Sequence, residues 1–384
     1  MKDSSVKEKI DRYLDMLPDA GLPACDFAVA HKGIPVYRHA AGFADHAKTR
    51  PLSGQDIYRV YSISKVTTCV CGMRLVESGR LGLDDPVENY LPAFRSLTVK
   101  QRDGSVLPAK NTLTVRHLFT MTGGLDYDLK SEPLQKAAAQ PGANTRSIVS
   151  AMAENPLQFE PGTHYRYSLC HDVLAAVIEV VTQTPFSEYV QKNITEPLGM
   201  TDTGFRLSEQ QRTRLVDAHR FVPGLMQSRP VDGEAHHAQY VLCNGYDSGG
   251  AGLFSTVDDQ MRLMTVLANG GVSADGYRVL SERSIARMGE NGLPDSARPD
   301  FQPTRLYGYS WGLCGRAHVN KNISRARSAE GEFGWDGAAG AFALVDPVNN
   351  VSMYFGTETL NCAYSYHKLF PDLRDLAYEL LDIE

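Results

Sequence analysis

Strand-forming signal in this 384-residue chain is concentrated near its two ends, and that separation limits what it can fold into more than any other feature. CDFAVAH (25–31), a Lys32-Gly33 turn and IPVYRHAAGFA (34–44) read as a β-hairpin. An isolated hairpin is marginal in water, so it needs partners. The partners on offer are the late runs YGYSWGLCG (307–315), AFALVD (341–346) and VSMYFGTE (351–358). An antiparallel sheet is therefore expected to draw distant parts of the chain together. It is covered by an N-terminal helix, with Val6, Ile10, Leu14 and Leu17 on one face, and by a helix at about 372–382. Between them the periodicity is mainly helical, clearest at 62–79, 114–121, 170–184 and 186–193, with Pro- and Gly-containing loops between. A further helix at 257–269 begins near Thr256 as N-cap and runs into Gly270-Gly271. The predicted fold is α/β with two lobes: a discontinuous α/β lobe (1–61 and 241–384) and an inserted, mainly helical lobe (62–240), with an active site between them.

The formal charge of −6 is spread without long like-charge blocks, so no basic stripe is available for a nucleic-acid backbone. The first helix carries charges throughout, and no secretion signal or membrane span is visible; a cytoplasmic protein with no membrane partner is expected. Seven scattered cysteines, without a CxxC pair or zinc spacing, read as reduced and mostly buried thiols. Cys69 and Cys71, two apart on a helix, point to different faces and chelate poorly.

Chemistry enters at YRVYSISKVTTCVCGMRLVESGRL, where Ser62 and Lys65 lie one turn apart on one face of a helix start. Burial lowers a lysine pKa, so a neutral Lys65 amine could take the serine proton, while the helix N-terminus favours a developing oxyanion. A second Ser-x-x-Lys, Ser4 to Lys7, sits in the charged N-terminal segment, so spacing alone does not single out Ser62. Gly308-Tyr309-Ser310-Trp311-Gly312 matches the nucleophile elbow, but no helical period follows it, and Ser310 is better placed within a strand. Only His318 and His367 follow it as candidate bases.

Many ordered segments together resemble the serine β-lactamase and penicillin-binding protein superfamily, in the class C-like branch that includes family VIII carboxylesterases. They include YRVYSISK (58–65), LVESGRLGLDDPVENYLPAF (75–94), LTVRHLFTMTGGL (113–125), YRYSLCHDVLAAVIEVV (165–181), SGGAGLFSTVDDQMRL (248–263) and FGWDGAAGAFALVDP (333–347). The resemblance implies a β-lactamase/DD-peptidase-like fold with Ser62 as nucleophile, Lys65 as its activating partner and Tyr167 as the proton relay. It also implies an oxyanion hole from the backbone N–H groups of Ser62 and Ala338, and substrate contacts from Trp335, Asp336, Gly337 and Leu169. Two departures weaken a lactamase or peptidase reading: Leu169 stands where Tyr-x-Asn has its asparagine, and no Lys-Thr-Gly or His-Thr-Gly occurs.

The function that follows is a cofactor-free serine hydrolase, a carboxylesterase on small esters, whose partner is a small-molecule ester or amide. Acyl transfer and D-amino-acid amidase or peptidase chemistry use the same residues; a weak β-lactamase or a non-catalytic scaffold are further alternatives. Asp336, the middle residue of Trp335-Asp336-Gly337, which the resemblance makes the third motif, is expected to place a negative charge at the substrate, or else to turn away into a salt bridge. His164, His171, His236 and His237 lack metal-triad spacing, and the last two read as solvated loop residues in SRPVDGEAHHAQY. Neither metal nor nucleotide is implied, and the oligomeric state is not encoded in any motif.

Overall fold

The computed structural model describes residues 2–301 and 306–383. Helix α1 (Lys2–Met16) leads to β1 (Ala24–His31), which turns through Lys32 and Gly33 into β2 (Ile34–Gly42). Both turn residues have positive φ, 52° and 81°, the signature of the type I′ turn whose twist suits a hairpin. The helices that bear on the site are α2 (Ser64–Glu77), α3 (Cys170–Thr182), α4 (Gly233–Val241) and α5 (Val257–Ala268). The late strands follow as β3 (Tyr309–Trp311), β4 (Arg316–His318), β5 (Phe333–Gly334), β6 (Phe342–Asp346) and β7 (Val351–Gly356), and then helix α6 (Phe370–Leu380).

These seven strands form one antiparallel sheet in the order β2-β1-β7-β6-β5-β4-β3. The hairpin finds its partner at β7, where Asp26 lies opposite Gly356 and Val29 opposite Met353. Alternation along the strands divides the apolar residues between two faces. Phe27, Val29, Leu344 and Met353 pack with Val6, Ile10, Leu14 and Leu17 of α1 and Leu373 of α6. Each such aliphatic side chain is worth about 1.5–3 kcal/mol on burial, which is what docks α1 on the sheet. On the other face α5 lies across β1 and β7, started by the Thr256 side chain, which accepts from the Asp259 N–H at 3.1 Å. A larger cluster of buried residues runs from α2 and α3 through to Trp311 of β3 and Val345 of β6, so helical and sheet parts share one core.

Two local expectations are corrected. The run 307–315 does not make one strand, because the chain reverses at Leu313–Gly315 and pairs β3 with β4. The stretch around His236 and His237 is not an open loop. It holds a short strand, Gln227–Pro230, and then α4, whose N-terminus is capped by the Asp232 side chain accepting from the Ala235 N–H at 2.9 Å. Among the described residues no helix is long and apolar enough to cross a membrane.

Candidate active site

Ser62 sits in a single 3₁₀ turn, Tyr61–Ile63, which joins the short strand Ile57–Arg59 to α2. The strand and helix meet abruptly because Tyr61 adopts φ 45°, a rare conformation for a bulky residue that tertiary contacts must hold. Ser62 opens onto a cavity of about 450 Å³. Lys65, one turn further, is fully buried. Its Nζ lies 3.2 Å from Ser62 Oγ, 2.8 Å from the Gly250 carbonyl oxygen and 3.3 Å from Tyr127 Oη. Three acceptors therefore match the three hydrogens of an ammonium group.

Near Lys65, on the other side of Gly250, lies the buried Asp172 of α3. Asp172 Oδ1 accepts from Tyr246 Oη and Ser248 Oγ, each at 2.7 Å, and from the Gly250 N–H at 3.2 Å. Its Oδ2 has no hydrogen-bond partner among the described residues. A Cβ placed on Gly250 would meet both this oxygen and Lys65 Nζ within 3.3 Å, so only glycine lets the two approach across this point. Burial acts to lower the Lys65 pKa, but the Tyr127 and Tyr167 oxygens and the Asp172 carboxylate outweigh it and the pKa is raised. That upward direction runs against the expectation that burial leaves Lys65 neutral. Burial is legible in the motif, whereas Tyr127, Tyr167 and Asp172, which oppose it, come from distant segments.

Tyr167 completes the group. Its ring stacks on Tyr127 with centroids 5.6 Å apart and planes 5° from parallel, and Lys65 Nζ stands 4.7 Å from the Tyr167 centroid. Trp335 Nε1–H donates to Tyr167 Oη at 3.0 Å. An indole nitrogen only donates, so Tyr167 accepts there and its own proton is left to point elsewhere. Trp335, Asp336, Gly337 and Ala338 border the same cavity as Ser62. The 335–337 segment extends the β5–β6 pairing, with Gly337 N–H on the Ala341 carbonyl at 2.8 Å. A Cβ at Gly337 would stand 2.6 Å from the Val60 carbonyl oxygen, so glycine allows this strand to lie against the turn that carries Ser62. Tyr366 Oη donates to the Gly337 carbonyl at 2.6 Å and accepts from the Gly340 N–H at 3.2 Å, clamping the turn. Between these residues Ala338 borders the cavity, and its N–H has no acceptor among the described residues. It is available to an oxyanion.

Leu169 is placed differently from its expected role. It is buried at the start of α3, beside Leu125, Asp126 and Leu134 and outside the lining of the Ser62 cavity, so the asparagine-like position supplies packing rather than a substrate contact. Asp336 borders the cavity but is not a free charge, because it is ion-paired with the fully buried Arg316. Ser310 is a buried strand residue whose Oγ donates to Asn291 Oδ1, whereas His367 borders the Ser62 cavity instead. His164 pairs with Asp300, and the buried His171 faces the Phe119 carbonyl. His237 is buried against the Ala251 carbonyl, and His236 Nδ1 meets Tyr61 Oη at 3.1 Å. These last two are corrected from solvated loop residues to supports of Tyr61. Tyr127, Tyr240 and Tyr366 line the cavity without having been singled out in the sequence. Tyr127 falls two residues beyond LTVRHLFTMTGGL, and that proximity was its only signal.

A family model described as Beta-lactamase matches residues 6–361. The chain belongs to the beta-lactamase family. Esterase EstB of Burkholderia gladioli is 29% identical over 379 residues, covering 93% of this chain and 91% of that protein. Among solved structures, EstCE1, described as a hydrolase with promiscuous acyltransferase activity, superposes with a TM-score of 0.81 at 25% identity, covering 98% of this chain and 99% of that one. Simvastatin synthase (LovD) from Aspergillus terreus gives a TM-score of 0.80 at 21% identity over 98% of both chains, a likeness of fold. Beta-lactamase family membership, with relatives of this kind, supports a serine hydrolase.

Proposed function

We propose that this family member is a carboxylesterase that cleaves small, uncharged esters through an acyl-enzyme at Ser62. The observation that carries the reading is Lys65 Nζ at 3.2 Å from Ser62 Oγ, with Ser62 bordering a cavity walled by Tyr127, Tyr167, Tyr240, Trp335 and Tyr366. Among the described residues lining it there is no Lys or Arg to hold a substrate carboxylate. Ser62 Oγ forms a bond to the ester carbonyl carbon, whose oxygen takes the negative charge beside the Ser62 and Ala338 N–H groups. The Ser62 proton passes to Tyr167 Oη as Tyr167 gives its own proton to the departing alkoxide, so the tyrosine ends neutral. The Lys65 ammonium donates to Ser62 Oγ and steadies the charge in transit. Water then attacks the acyl carbon, and the same relay returns a proton to Ser62. EstB, an esterase, supports this assignment by its similarity along most of both chains. A second reading, acyl transfer to an alcohol, is favoured by the room in the cavity and by the similarity to EstCE1. A cytoplasmic location accords with seven free thiols, six of them buried.

The test is intact-mass spectrometry and steady-state kinetics on neutral aryl esters. Ser62→Ala is expected to abolish turnover and the acyl adduct, Tyr167→Phe to lower kcat about a hundredfold, and Ser310→Ala to keep the adduct on Ser62. An adduct mapped to Ser310, or full activity in Tyr167→Phe, overturns the mechanism.

A further inference from the structure

The Arg316–Asp336 pair stands directly behind the cavity wall, and each edge of the guanidinium has a separate neighbour. Nη2 donates to the Ala343 carbonyl at 2.6 Å. Nε faces Glu332 Oε1 at 3.7 Å, while Glu332 Oε2 is engaged on its far side by Tyr309 Oη and Ser328 Oγ. Nη1 meets Asp336. Beneath them the Phe370 ring lies 4.0 Å from the guanidinium carbon, and the nearby Arg374 is paired with the surface residue Asp375. Arg316 is fully buried and Asp336 borders the cavity, so the Asp336 carboxylate is what separates a fixed cation from the substrate.

We propose that Asp336 is a specificity-determining residue that masks Arg316: the pair makes this subsite accept uncharged substrate groups, and removing the carboxylate turns it into a carboxylate anchor. The physical reason is occupancy. The subsite is built to hold one carboxylate against Nη1, and the protein supplies its own. A ligand carboxylate entering the intact site meets a filled partner and a like charge; in its absence the same ligand re-creates the native pairing. A guanidinium fork suits a carboxylate geometrically, and such charge-assisted bonds are the stronger kind. His367 also borders the cavity and Glu332 remains on the other edge, so the cation must be identified by measurement.

The proposal rests on Ser62 as the residue that captures an electrophile, and it is tested by binding rather than turnover. The probes are 3-carboxyphenylboronic acid and its uncharged analogue 3-carbamoylphenylboronic acid, with Kd measured by calorimetry at pH 8.5, where an ordinary imidazole is neutral. The wild type is expected to prefer the carboxamide by about tenfold, and Asp336→Glu to keep that order. In Asp336→Ala, with the isosteric Asp336→Asn alongside in case the first is unstable, the carboxylate is expected to bind about fivefold or more tightly than the carboxamide, as a newly exposed guanidinium partner allows. Loss of repulsion alone would bring the two probes only to parity. Parity or a retained carboxamide preference in both variants overturns the proposal, as does failure of the carboxylate to bind in any of them. Neutral-ester turnover by the wild type, read on the same preparation, reports separately on the esterase assignment.

Discussion

Tyr61 and Gly337 both belong to the packing around the turn that carries Ser62, and each occupies a position few other residues would take. Tyr61 at φ 45° costs about 1–2 kcal/mol relative to ordinary backbone. Its ring is held by the edges of His236, His237 and Tyr240. That compensation comes from α4, far along the chain, so nothing in YRVYSISK announces the turn. Gly337 is the opposite case: the third motif was legible, but its reason, a backbone approach to Val60, is not written in Trp-Asp-Gly. Gly337→Ala is expected to push this segment off the Ser62 turn and misplace the Ala338 N–H. Loss of an oxyanion donor costs about a hundredfold or more in kcat, with KM little changed, measured with a neutral aryl ester. A kcat within threefold of wild type would show that the strand yields without cost.

At the level of elements, α4 links the pocket wall to the nucleophile turn, carrying Tyr240 to the cavity and His236 to Tyr61. A helix this short is marginal without tertiary contacts and caps. Asp232→Ala removes its N-cap, worth about 1 kcal/mol. Hydrogen exchange over 233–241 is therefore expected to accelerate severalfold while α2 and α3 are unchanged, and equal protection in the variant would show that the ring contacts alone hold the helix. The same contrast explains what could be read beforehand. The hairpin, β6, β7 and α5 were legible because alternation, turn residues and the Thr256 cap all agree locally. The elements α4 and β3–β4 were not, because α4 is fixed by aromatic packing and the β3–β4 reversal by sheet pairing. The Ser62–Lys65 pair was legible from its spacing, and Tyr167 beside it only from the family resemblance. The upward direction of the Lys65 pKa was not, since it comes from Tyr127 and Tyr167 first and then from Asp172, all outside the Ser62–Lys65 motif.

Across the whole molecule, burial leaves three imidazoles reluctant to take a proton: His171, lowered to about 3, and His219 and His237, each lowered to about 4. In the unfolded chain they titrate near 6.5. The stability they contribute is complete above that pH and is lost as the pH falls toward 4, because the unfolded state then binds more protons. Each can contribute up to about 1.4 kcal/mol per pH unit. Urea unfolding at pH 7.5, 6 and 5 is expected to show a shallower decline in a triple variant, His171→Asn with His219→Asn and His237→Asn, than in wild type; parallel declines would place acid sensitivity elsewhere. The sheet order has a different consequence, one of time. Strand β1 is complete when residue 31 has been made, but its partner β7 is complete only at residue 356. At 5–20 residues per second a ribosome needs roughly 15–65 s to cover that distance. Throughout that interval the hairpin has no partner along one apolar edge, the kind of edge that recruits other chains. Exposure to aggregation is thus greatest during synthesis and scales with elongation time, whatever the stability of the finished sheet.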